Sequence, residues 1–138
     1  MEINATAKKR GAGKTVLVVD DTPRIRELFL AAFSSDGFKT YSADNGKEAI
    51  DLARKIRPDI IVLDLSMPGM NGIEAAAELR KILPKTPVIL STIHEGTVSA
   101  AAAAKAGIDV VLPKSMPLRL IIDKAHELIK TRFDKNTS

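Results

Sequence analysis

The chain has 138 residues, 45% of them hydrophobic and 28% charged, with a net charge of +4 and no cysteine. That is the length and composition of one globular domain; disulfides and thiolate metal sites are excluded, and no apolar run approaches the roughly 18–20 residues that span a bilayer. Residues 1–14 carry a net +3 and residues 130–138 a net +2, leaving −1 for 15–129, so the basicity belongs to the two ends.

A basic tail touches phosphate backbones without sequence preference, and a neutral body does not point to direct nucleic-acid binding. The first residues lack the apolar stretch of a secretory signal. The chain therefore reads as cytosolic, with no membrane partner.

The first element is TVLVVD (15–20), a β-branched run with the continuous apolar pattern of a strand covered on both faces. Thr22-Pro23 follows as an N-cap and N1 pair. Ile25, Leu28, Phe29, Ala32 and Phe33 then recur at helical spacing, and Gly37 closes the segment. FKTYS (38–42) is a second strand. Asn45 with Glu48 three residues on opens a second helix, and Pro58 ends it. DIIVLD (59–64) is the third and most apolar strand. After the turn SMPGMNG, Asn71 and Glu74 repeat the start signal for a helix running to Leu83-Pro84. A fourth strand covers 88–91, an alanine-rich helix 98–106 stopped by Gly107, and a fifth strand 108–112. Pro117 opens a last helix with Leu118, Ile121, Ile122, Ala125, Leu128 and Ile129 on its inner face.

Five alternations with short connections imply an α/β fold, (βα)5, in which a doubly wound parallel sheet carries helices on both faces. The domain is expected over 14–132, between a flexible basic tail at 1–13 and a C-terminal tail at 133–138.

In such sheets ligands gather beyond the carboxyl ends of the strands. The first strand ends in Asp20-Asp21, the third in Asp64, the fourth runs into Ser91-Thr92, and the fifth ends just before Lys114. Crowded acids repel one another and would take up protons on burial, a conflict that a divalent cation resolves. Carboxylate and carbonyl oxygens suit Mg²⁺ or Mn²⁺. Lys114 and Thr92 then stand where a cation and an O–H donor could hold phosphoryl oxygens.

Asp-Asp after the first strand, VLDLSMPGMNG around the third, Thr after the fourth and PKS after the fifth together resemble response-regulator receiver domains over about residues 14–132. The resemblance implies a flavodoxin-like strand order 2-1-3-4-5. It implies that Asp64 takes a phosphoryl group from a sensor histidine kinase or a phosphotransfer protein. Asp20, Asp21, Asp64 and the Ser66 carbonyl would bind Mg²⁺, with Thr92 and Lys114 on the phosphoryl group and Pro68-Gly69 shaping the adjoining loop. Such a domain is a phosphorelay switch rather than an enzyme with a separate substrate; its chemistry is self-phosphotransfer and autodephosphorylation. Its phosphate biases a surface that docks onto a downstream protein target, and its last helix can support phosphorylation-linked dimerisation. The chain stops soon after the last helix, which fits either a stand-alone receiver or one cut from a longer DNA-binding regulator. A module that keeps the fold without using the site is the competing reading. A phosphatase is disfavoured, because Ser66 stands where an acid two residues beyond the nucleophile is usual.

Three positions depart from the family pattern. Ile93 follows Thr92 where a small residue is usual, which predicts slow turnover of the phosphoryl group. Val111 replaces a common switching aromatic, and Ser115 replaces the proline that usually follows the lysine. GAGKT (11–15) imitates a nucleotide-binding loop, but Lys8 occupies the position of the first glycine and the run precedes a strand instead of following one. His94 and His126 are too isolated in sequence to suggest zinc.

Overall fold

The computed structural model describes residues 9–93 and 96–137, with side chains through Arg132. The elements are β1 (Thr15–Val19), α1 (Pro23–Ser35), β2 (Lys39–Ala43), α2 (Gly46–Ile56), β3 (Ile60–Asp64), α3 (Gly72–Ile82), β4 (Val88–Thr92), α4 (Ala100–Lys105), β5 (Val110–Pro113) and α5 (Leu118–Thr137). All four strand pairings are parallel, in the order β2-β1-β3-β4-β5. No described helix is long and apolar enough to cross a membrane.

Alternation along the strands divides the core in two. Val16, Val18, Ile60, Val62 and Ile89 pack under Phe29 and Phe33 of α1 and Ile121, Ala125 and Ile129 of α5. Leu17, Val19, Ile61, Leu63 and Leu90 face Ala49 and Ala53 of α2, Ala75, Ala76 and Leu79 of α3, and Ala103 of α4. Small residues on α2, α3 and α4 let those helices lie close to the sheet.

The helix starts follow local chemistry. Asn45 accepts from Glu48 N at 2.8 Å, and Asn71 with Glu74 forms a reciprocal capping box. Thr22 makes no side-chain cap; instead Asp20 Oδ1 accepts from Thr22 N at 2.9 Å. Expected as 98–106, α4 is shorter, because the Ser99 hydroxyl accepts from Ala102 N and holds Ser99 itself in an extended conformation. Expected as 108–112, β5 begins at Val110, since Ile108 N is still bonded to Ala103 O. At the other end, α5 keeps helical backbone to Thr137, because no glycine or proline interrupts 118–137.

Residues 9–14, in and just after the stretch expected to be a tail, are seated as a strap against α1 and α5. Gly11 N donates to Asp36 O at 2.8 Å, and Arg10 pairs with Asp123 at 2.6 Å. A Cβ at Gly11 would meet the Phe38 ring at 2.4 Å, so this glycine serves packing and not a nucleotide. His126 has partners that its isolation in sequence concealed. Its Nε2 lies 2.6 Å from Asp36 Oδ2, and its Nδ1 lies 3.1 Å from Lys14 Nζ. An ammonium only donates, so Nδ1 accepts and Nε2–H donates to Asp36, which makes the ring neutral. Burial, aided by the Lys14 and Arg10 charges, holds His126 below its usual 6.5 against the pull of Asp36. Because the folded value is depressed, the corresponding stability is complete above about pH 6.5 and is lost as pH falls below it. A glutamine can make both hydrogen bonds without titrating. Urea midpoints at pH 7.5 and 5 should therefore fall further for wild type than for His126→Gln; parallel falls would refute the assignment.

Candidate functional site

Three carboxylates meet at the carboxyl edge of the sheet. Asp20 and Asp21 follow β1, and Asp64 closes β3; each offers an oxygen within 4.8 Å of the others. Asp20 and Asp64 are 2% and 4% exposed, whereas Asp21 is open to solvent. Lys114, just past β5, places Nζ 3.0 Å from Asp20 Oδ2 and 3.0 Å from Asp64 Oδ1. Ser66 N donates to Asp64 Oδ1 at 3.3 Å. Arg26 Nη1, a residue that no sequence motif singled out, donates to the Asp20 carbonyl at 2.7 Å and ties α1 to the site.

The loops hold these groups in place. Leu65 N donates to Ser91 O and Gly72 N to Leu65 O, which fixes the chain leaving Asp64. A Cβ at Gly72 would lie 2.4 Å from Asp64 O, so only glycine lets α3 begin this close to β3. Pro68 lines an open cleft of about 540 Å³ with Asp21, Leu65, Ser66, Met67 and Asn71, and Gly69 follows it in the same turn. Thr92, 4% exposed, ends β4, and its carbonyl accepts from Lys114 N at 2.7 Å. Val111 is partly buried against the core on the α2–α4 side. Among the described residues every peptide bond is trans, including the one joining Lys114 to Ser115. His94 lies outside the described residues.

The electrostatics are asymmetric. Burial, with the Asp20 charge adding to it, lifts the Asp64 carboxyl from 3.8 to about 6 despite the Lys114 hydrogen bond. For Lys114, burial works against the charge, but the bonds to Asp20 and Asp64 outweigh it and hold the ammonium above its usual value. The lysine stays charged, while Asp64, sharing it with Asp20, is left undercompensated. A further cavity of about 610 Å³ lies at the opposite, amino-terminal end of the strands. Its arginines already serve the fold: Arg80 bonds carbonyls at the end of α4, and Arg132 pairs with Asp59.

A doubly wound parallel sheet with buried acids and a lysine at its carboxyl edge has the architecture of a phosphorylation receiver. The chain belongs to the response regulator receiver domain family, whose model matches residues 16–126. It is 37% identical over 116 residues to the regulatory protein AtoC of Escherichia coli (strain K12), covering 82% of this chain and 25% of that protein. It is 33% identical over 115 residues to the response regulator MprA of Mycolicibacterium vanbaalenii, covering 83% of this chain and 50% of that one. The chain thus spans between a quarter and a half of these curated relatives. Among solved structures, the Vibrio cholerae chemotaxis protein CheY4 superposes with a TM-score of 0.80 at 26% identity, covering 85% of this chain and 99% of that one. The Francisella response regulator 1452 receiver domain superposes with a TM-score of 0.79 at 33% identity, covering 86% and 98%. Receiver domains accept phosphoryl groups and work with sensor histidine kinases.

Proposed function

We propose that Asp64 is the phosphoryl acceptor of this receiver, and that the acyl phosphate formed there switches a protein-binding surface. The observation that carries the reading is the single ammonium of Lys114 held 3.0 Å from both Asp20 and Asp64 at the strand ends. An Asp64 oxygen attacks the phosphorus of a phosphohistidine; the P–N bond breaks, a P–O bond forms, and the imidazole leaves as its ring nitrogen takes a proton from solvent. Such transfers need positioning and charge neutralisation more than covalent help. Lys114 moves from Asp64 toward the phosphoryl oxygens, and the Thr92 hydroxyl donates to another of them.

The donor set fits a hard divalent cation, because three carboxylates with oxygens inside 4.8 Å and one shared lysine leave net negative charge. Asp20, Asp21, Asp64 and the Ser66 carbonyl would hold Mg²⁺ or Mn²⁺, which would supply countercharge to the phosphoryl oxygens. Intact-mass measurement after incubation with Mg²⁺ and acetyl phosphate tests the reading. One phosphoryl adduct is expected on the wild type, and none on Asp64→Asn or in EDTA. A wild type that takes up no phosphoryl group from any donor would leave a fold that works purely by docking.

Ile93 is 70% exposed immediately after buried Thr92, and its branched side chain at this position is the proposed hindrance to attacking water. Ile93→Ala is expected to shorten the lifetime of the phosphorylated form severalfold, read by the decay of the adduct after donor removal. An unchanged lifetime would refute the steric role.

The relatives' greater length supports a second reading, in which this chain is the receiver part of a longer DNA-binding regulator. The coding sequence flanking the chain decides it.

A further inference from the structure

Ser91 stands on β4, between the strand that ends in Asp64 and the strand that leads to Lys114. In register its Cα pairs with Asp64 on one side and Leu112 on the other. Side chains alternate along a strand, so Asp64, Ser91 and Leu112 share the sheet face packed by α1 and α5, and Lys114 follows just past the end of β5. The lysine starts beside the end of β4, where its N–H bonds the Thr92 carbonyl, and its ammonium reaches Asp64 on β3 beyond that strand. Ser91 is 2% exposed, and its Oγ is the one buried side-chain oxygen or nitrogen among the described residues with no hydrogen-bond partner. Burying a hydroxyl unpaired is costly, and alanine would fill the position without that cost.

The neighbouring ammonium has a matching surplus. Lys114 has three N–H donors, and among the described residues its side chain bonds Asp20 and Asp64 alone. A spare donor just past the end of β5 and, on neighbouring β4, a hydroxyl with nothing to bond thus lie near the carboxylate that reacts.

We propose that Ser91 is a positioning residue for phosphoryl acceptance, its hydroxyl accepting an N–H of Lys114 and donating its own proton to Asp64 as the lysine turns toward the phosphoryl group. Lys114 then leaves Asp64 Oδ1 without stranding it, and the ammonium is fixed where the phosphoryl oxygens arrive. The inference rests on Asp64 being the acceptor.

The test is adduct formation from acetyl phosphate in the full chain, followed by mass against time over a series of Mg²⁺ concentrations. Ser91→Ala should lower the maximal rate about three- to tenfold, the usual weight of one hydrogen bond, and leave the Mg²⁺ half-saturation point unchanged. Ser91→Cys, nearly isosteric but a poor hydrogen bonder, should behave as alanine does, and Ser91→Thr should retain most of the wild-type rate. In a Lys114→Met background, Ser91→Ala should have no further effect, which a purely structural role would not produce. Folded alanine and cysteine variants reacting within twofold of wild type would overturn the proposal, as would full additivity with Lys114→Met. A wild type that forms no adduct fails the acceptor reading itself, an outcome distinct from equal rates in wild type and variants.

Discussion

Asp64→Asn is expected to abolish phosphoryl uptake and, in metal-free buffer at pH 7, to make the fold more stable by about 1–3 kcal/mol. Losing the nucleophile removes the chemistry; the gain in stability follows from where that nucleophile is kept. Asp64 is 4% exposed, faces Asp20, and has its carboxyl lifted to about 6. A folded value above the unfolded 3.8 means that the group's favourable contribution is full below about pH 3.8 and is lost as pH rises through 6. At pH 7 the ionised carboxylate is a net cost, which asparagine does not carry. The advantage of the variant should therefore grow between pH 4 and 7 and nearly vanish near pH 4. Urea unfolding in EDTA at both pH values measures it, and a variant less stable than wild type at pH 7 would show that the Lys114 bond outweighs burial.

Lys114→Met should have the opposite effect on stability. It leaves Asp20 and Asp64 buried together without their cation, and breaking a buried pair on one side costs about 3–5 kcal/mol. Millimolar Mg²⁺ should restore part of that loss, since a divalent cation among the same acids supplies the missing charge. The rate of adduct formation should fall about a hundredfold, the scale seen when one preorganised donor to a reacting centre is removed. A loss of stability that Mg²⁺ does not relieve would mean that the lysine acts through packing and not charge.

Much of this was visible in one dimension because the relevant forces are local. β-Branched runs predict the buried strands, and Asn with Glu three residues on predicts the starts of α2 and α3, since a cap is satisfied within one turn. Asp20, Asp21, Asp64 and Lys114 could be grouped from sequence because the carboxyl ends of parallel strands necessarily share one edge. Boundaries were less legible: α4 is cut short by the Ser99 cap, and α5 keeps its helical backbone into the stretch expected as a C-terminal tail because no glycine or proline stops it.

Some residues that sequence reasoning missed have partners far along the chain, although Arg26 reaches the Asp20 carbonyl from 6 positions away. His126 meets Asp36 across 90 positions and Lys14 across 112, and a lone histidine in a sequence gives no sign of either. GAGKT imitates a phosphate loop in letters, and its packing against Phe38 is settled by where α1 returns the chain. Ser91 looks like any polar residue near a strand end until the register sets it beside Asp64.

What the amino-acid order determined on its own was the alternation of elements, the edge on which chemistry gathers and the residue types waiting there, because propensity, capping and period act over a few residues. What only the tertiary structure decided was which acid shares the ammonium, which carboxylate is left undercompensated and which hydroxyl is orphaned. Those depend on distances of a few ångströms between strands and on the water excluded by helices packed from both sides, and neither quantity exists until the sheet has closed.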